Sequence, residues 1–198
     1  MEWCQVVRTN PERRQGLIDA AIEVLARDGA RGLTFRAVDK EAGVPAGTAS
    51  NYFPNRDELL VQAGNRFYER LIPVETAVEM VHAGPRTREH ITELMEETVG
   101  RITAFRTGYL ALLELRLEAT RRPELQAVLT ERVRADLEFN IRNHLESGLP
   151  GDQDSVVLLY LALNWLIVER LTLPGIFTEE QSKELVRTAV ERAIPETL

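Results

Sequence analysis

Between Ala46 and Tyr52 the chain places three small polar side chains, Thr48, Ser50 and Asn51, among residues with little or no side chain, Ala46, Gly47 and Ala49. Hydroxyls and amides of this size can bond to base edges or phosphates, and Ala46 or Ala49 can meet a thymine methyl. Gly47 costs roughly 1 kcal/mol of helix propensity against Ala, which points to a need for close backbone approach. The chemistry is recognition of a nucleic-acid groove. Catalytic constellations are poor by comparison. His82, His90 and His144 are scattered, and His90 with Glu93 on one helix face makes two metal ligands without a third. There is no phosphate-binding Gly-rich loop, nucleophile elbow or paired-cysteine site, so neither a cofactor nor a metal is expected.

The elements that must position these residues are short. A helical pattern from Thr34 to Ala42 breaks at Gly43, a second helix begins at Pro45, and a longer one follows Pro54. Two short helices joined by a tight turn with Gly at its pivot form a helix-turn-helix, whose second helix enters the DNA major groove. A purely structural hairpin would cover that second helix with Leu and Ile. Here it is almost bare.

The stretch TFRAVDKEAGVPAGTASNYFPNRDELL, residues 34–60, resembles the signature of the tetracycline-repressor (TetR) family. The shared marks are a Thr opening helix 2, Ala42-Gly43-Val44 at the turn, Gly47-Thr48, Tyr52-Phe53, the basic Arg56 and Leu59-Leu60. The preceding RRQGLIDAAIEVLARDGARGLTF is similar to the family's first helix, including Asp28-Gly29 at its end. The resemblance implies that Thr48 and Tyr52 sit against the DNA backbone with Pro45 opening the recognition helix. It also implies that Arg56 neutralises a phosphate, and that Thr34 and Arg36 face the other phosphate strand. Two departures stand out. Ala49 and Ser50 replace a bulky aromatic or Leu pair, implying a different base set. Asp39 replaces a small Ala; an acid beside a phosphate would repel, so Asp39 should pair with Lys40, Arg36 or a helix 3 backbone amide.

The whole chain has 198 residues, 44% of them apolar, enough for a real core. Its net charge of −7 opposes indiscriminate nucleic-acid coating. Residues 1–56 hold eight Lys/Arg against seven Asp/Glu, leaving the excess acid to the body. A near-neutral reading head on an acidic body suits a protein that must find a particular site. The lone Cys4 permits no intramolecular disulfide, and no signal peptide or membrane span is expected, consistent with a cytoplasmic protein. The longest apolar run, Val156–Val168, is thirteen residues and is interrupted by Asn164.

The class expected is all-α: a three-helix DNA-binding head joined through a long helix to a larger helical ligand-binding and dimerisation domain. The arm is 1–10, the head 11–56 and the body 57–198. Helix 1 runs from about Pro11 to Arg27. A helix from Pro54 or Asn55 should reach about Val81 with a kink at Pro73, followed by helices at about 87–105, 107–121, 123–147, 152–173 and 178–194. Gly or Pro marks most divisions. The segment 155–173 is apolar all round, which implies burial on all sides, partly against a second copy. Leu159, Leu163 and Leu166 of that helix, with Val186 and Val190 of the last, are the expected dimer contacts. Phe105, Tyr109, Arg116, Phe139, Asn143, Asn164 and Trp165 are candidates for an effector pocket, because they are aromatic or polar in apolar stretches. The expectation is a homodimeric repressor released from operator DNA by a small apolar or amphipathic molecule. Its rivals are a DNA-binding regulator that answers to a protein partner or to no ligand, and an enzyme using the helical pocket.

Overall fold

The structure, a computed structural model, describes residues 10–71 and 74–194. Every regular element in these residues is a helix: α1 (Pro11–Gly32), α2 (Phe35–Glu41), α3 (Thr48–Tyr52), α4 (Arg56–Leu71), α5 (Val74–Ala83), α6 (Arg88–Ala104), α7 (Arg106–Ala119), α8 (Pro123–Ser147), α9 (Gln153–Thr172) and α10 (Glu179–Ala193). Their starts follow local chemistry. Asn10, Thr34, Thr87, Asp152 and Thr178 each accept a backbone N–H from the first turn of the helix they cap. Asn55 does the same for Glu58 at the head of α4. Most of the expected arm (1–9) and the expected kink at Pro73 lie outside the described residues. The long helix expected to reach about Val81 is described as α4 and α5, on either side of residues 72–73.

The chain divides into two compact units. The first holds the described residues up to Tyr68 together with 107–129, so it exceeds the expected 11–56 head. The reason is packing. Tyr109, Leu112 and Leu115 of α7, with Leu125 and Leu129 of α8, are buried alongside Leu17, Ile22, Leu60 and Phe67. Tyr109 meets Phe67 edge-on at 6.2 Å, and Glu114 accepts the Ala30 N–H at 3.0 Å just past the α1 kink at Gly29.

In the second unit, α10 packs on α9 and α6, and α6 on α9. Ile91, Leu94, Leu149, Leu159, Val190 and Ile194 form a buried cluster there. By length and composition α9 is the one helix among the described residues that could cross a membrane, although its uninterrupted apolar run is shorter. Its buried stripe against α6 and α10 is that of a core helix.

Candidate nucleic-acid interface

The turn after α2 is closed by backbone bonds. Ala42 N–H donates to the Val38 carbonyl (2.9 Å), Gly43 N–H to Lys40 (3.2 Å) and Val44 N–H to Asp39 (3.0 Å). Gly43 and Gly47 both adopt positive φ, +64° and +90°, where only glycine is unstrained. This corrects one expectation. The second helix begins at Thr48, not Pro45, because the left-handed Gly47 cannot be helical; Pro45 and Ala46 sit in the turn, both exposed. The positive φ at Gly47 gives the glycine a conformational role in the turn, and a Cβ there would meet nothing within 4 Å of the chain itself.

Asp39 has its partners. Its carboxylate accepts the Gly47 and Ala49 amides, each at 2.7 Å, and the residue is 2% exposed. Of the three partners considered for it, the helix 3 backbone is the one realised.

On α3 the side chains divide by face. Ala49 is fully buried, so it cannot meet a thymine methyl, whereas Ser50 and Asn51 are exposed. The Thr48 hydroxyl donates to the Pro45 carbonyl (2.6 Å) and the Ser50 hydroxyl to Gly47 (2.9 Å), leaving each its acceptor lone pairs. The Tyr52 hydroxyl accepts the Asn10 N–H at 3.4 Å. Thr34 is exposed as the α2 cap, and Arg36 is exposed on the first turn of α2. Arg56 has partners within the chain. Its Nε donates to the Leu33 carbonyl at 3.0 Å and its Nη2 to the Ala30 carbonyl, so the guanidinium ties off the C-terminal end of α1. A cation there also complements the helix dipole.

The seven nominated pocket residues divide between the two units. Tyr109 and Arg116 belong to the first unit, where Tyr109 is core and Arg116 is exposed. The other five belong to the second unit. Phe105 lies under the Arg70 guanidinium at 4.8 Å, Phe139 is half-buried, and buried Asn143 bonds to His82 at 3.2 Å. Asn164 donates to the Tyr160 carbonyl one turn back, and Trp165 is 66% exposed. An open cleft of about 370 Å³ in the first unit is lined by Asp57, Val61, Arg121, Arg122 and Leu125, among others, and by none of the seven. In the second unit three side-chain atoms, His90 Nε2, Arg101 Nε and Glu169 Oε2, are buried without a hydrogen-bond partner, and of these residues the sequence singles out only His90. Burial holds the Arg101 guanidinium below its usual range. Among the described residues no three His, Cys, Asp or Glu side chains group as metal ligands.

The nominated dimer residues are spent inside the chain. Leu159, Leu163, Leu166, Val186 and Val190 are all buried in a single copy. The exposed stripe of α9 is Leu158, Leu161 and Trp165, and α10 adds Leu185. A helix apolar on every side has no moment to say which stripe faces inward.

The family model described as "Bacterial regulatory proteins, tetR family" matches residues 17–63, and "Tetracyclin repressor-like, C-terminal domain" matches 86–196. The chain is 26% identical over 157 residues to the nicotine-responsive transcriptional repressor HdnoR of Paenarthrobacter nicotinovorans, covering 79% of each. Among solved structures, a TetR-family member from Streptomyces coelicolor A3 is 29% identical with a TM-score of 0.70, over 94% of this chain and all of that one. The multidrug binding protein EbrR, complexed with imidazole, is 28% identical with a TM-score of 0.66, over 96% and 98%. A helix-turn-helix at one end and a matched helical domain over more than half the length leave one conclusion: the chain belongs to the TetR family of DNA-binding transcriptional regulators.

Proposed function

We propose that this regulator is a cytoplasmic homodimeric repressor that grips a near-palindromic operator through two α3 helices and lets go when a small apolar or amphipathic molecule binds the second unit. The observation that carries the DNA half is the outer face of α3, where Asn51 and Ser50 stand exposed on a helix held at both ends. Asn51 is the main donor for a base edge, because the Thr48 and Ser50 hydroxyl protons are already given to backbone carbonyls. Thr34, Arg36 and Tyr52 are proposed as phosphate contacts beside it. Gel-shift titration tests this reading. Asn51→Ala should weaken binding to the preferred sequence by about 1–3 kcal/mol while leaving scrambled DNA almost unaffected. Equal loss on both DNAs would remove the residue's specifying role.

The dimer is proposed through Leu158, Leu161 and Trp165, an exposed apolar stripe on one helix, with the exposed Leu185 of α10, because large exposed apolar side chains on one face mark interaction sites. The ligand half is supported by the relatives. One is named as nicotine-responsive, and another was solved with ethidium, proflavin and malachite green. It is also supported by the unpartnered Arg101, Glu169 and His90 atoms, because buried polar groups need partners and a bound molecule can supply them. Phe105, Phe139 and Asn143 remain proposed neighbours of such a site. A thermal-shift screen with no responding small molecule would favour the rival, a regulator answering to a protein partner.

A further inference from the structure

We infer that Asp39 is the positioning residue that sets the recognition helix in register for base reading, a role that rests on the reading of α3 given above. The argument begins with α3 itself. It is five residues long, and isolated helices shorter than roughly 12–15 residues do not persist in water. Its own cap residue is Gly47, which has no side chain and makes no capping bond. Locally only the Thr48 N–H finds an acceptor, the Pro45 carbonyl at 3.2 Å, and no neighbouring side chain caps the amides on either side of it.

Asp39 supplies the acceptor from eight residues upstream. One carboxylate oxygen takes the Gly47 N–H and the other takes the Ala49 N–H, both at 2.7 Å, the short length of a charge-assisted bond. The same residue's carbonyl takes the Val44 N–H at 3.0 Å. One residue thus spans the whole turn, from the last turn of α2 to the first of α3. Its negative charge also lies at the positive end of the α3 dipole. The carboxylate is 98% hidden from solvent and each oxygen is taken by an amide, so it turns no free acceptor toward the outer face of the motif.

Gly47 and Asp39 are complementary halves of one device. The left-handed Gly47 sharpens the entry to α3 and gives up the usual Ser, Thr or Asp cap, and Asp39 replaces that cap from across the turn. Asn at position 39 keeps the shape but can accept only one of the two amides and turns an N–H₂ toward the other.

The test is Asp39→Asn in the full chain, with two readouts. Operator binding should weaken about 10- to 100-fold, the scale of lost bonds to a charged group, while binding to scrambled DNA barely changes. Amide hydrogen exchange should speed up at Gly47 and Ala49 while amides in the middle of α1 stay protected. Wild-type operator affinity with Asp39→Asn would overturn the inference. So would loss of protection throughout the head, which would make Asp39 a general fold residue. Asn51→Ala measured on the same DNAs separates the two readings. If Asn51→Ala lowers selectivity and Asp39→Asn does not, only the Asp39 role fails. If neither changes selectivity, the reading of α3 fails and takes the Asp39 role with it.

Discussion

A Leu161→Glu, Trp165→Glu double variant is expected to run in solution as a single chain of 22.4 kDa, with wild-type helix content and operator affinity reduced by roughly 10²–10⁴-fold. Both side chains are more than half exposed in one copy, so charging them costs the chain's own core little. Two linked heads bind a two-half-site operator with the benefit of high effective concentration, and a monomer forfeits it. The contrast is Leu163→Asp or Val190→Asp. Those side chains are buried in one copy, so a carboxylate there should prevent folding, with soluble yield lost before assembly is in question. Light scattering and circular dichroism check both arms. A double variant that remains dimeric would place the interface elsewhere.

Arg56→Ala is expected to lower stability by about 2–3 kcal/mol, because it strips a charged donor from the carbonyls of Ala30 and Leu33. For a chain of this size that corresponds to a melting temperature roughly 4–12 °C lower. Arg56→Lys should recover only part of the loss, since an ammonium cannot reproduce the two-pronged geometry of the guanidinium. Operator and scrambled DNA should both be bound more weakly, through a loosened junction between α1 and α4. An unchanged melting curve with weakened DNA binding would return Arg56 to the phosphate role its family position implies.

These two residue sets also show where the sequence was readable. Helix extents from α6 to α10 match the Pro and Gly punctuation within two residues, because caps such as Thr87, Asp152 and Thr178 act locally. The helix-turn-helix was legible for the same reason, since Thr34 and Gly43 are local signals. What was not legible depends on distant parts of the chain. Nothing near Arg56 announces that its partners are carbonyls over twenty residues upstream, and nothing near Glu114 announces Ala30. The start of α3 is not legible because nothing in the sequence tells a Gly47 inside the helix from one with positive φ just before it. The inward stripe of α9 could not be chosen from a segment apolar on all sides; only the packing of α6 and α10 decides it.

The central claim, a dimer reading DNA through two α3 helices, is tested most directly by selection of bound sequences from a random duplex pool, followed by sequencing. The expected result is a near-palindromic motif whose half-sites are centred one helical turn apart or a multiple of it, about 34–36 Å per turn, as two recognition helices in successive major grooves require. Enrichment of a single half-site, or no enrichment over the starting pool, would contradict it.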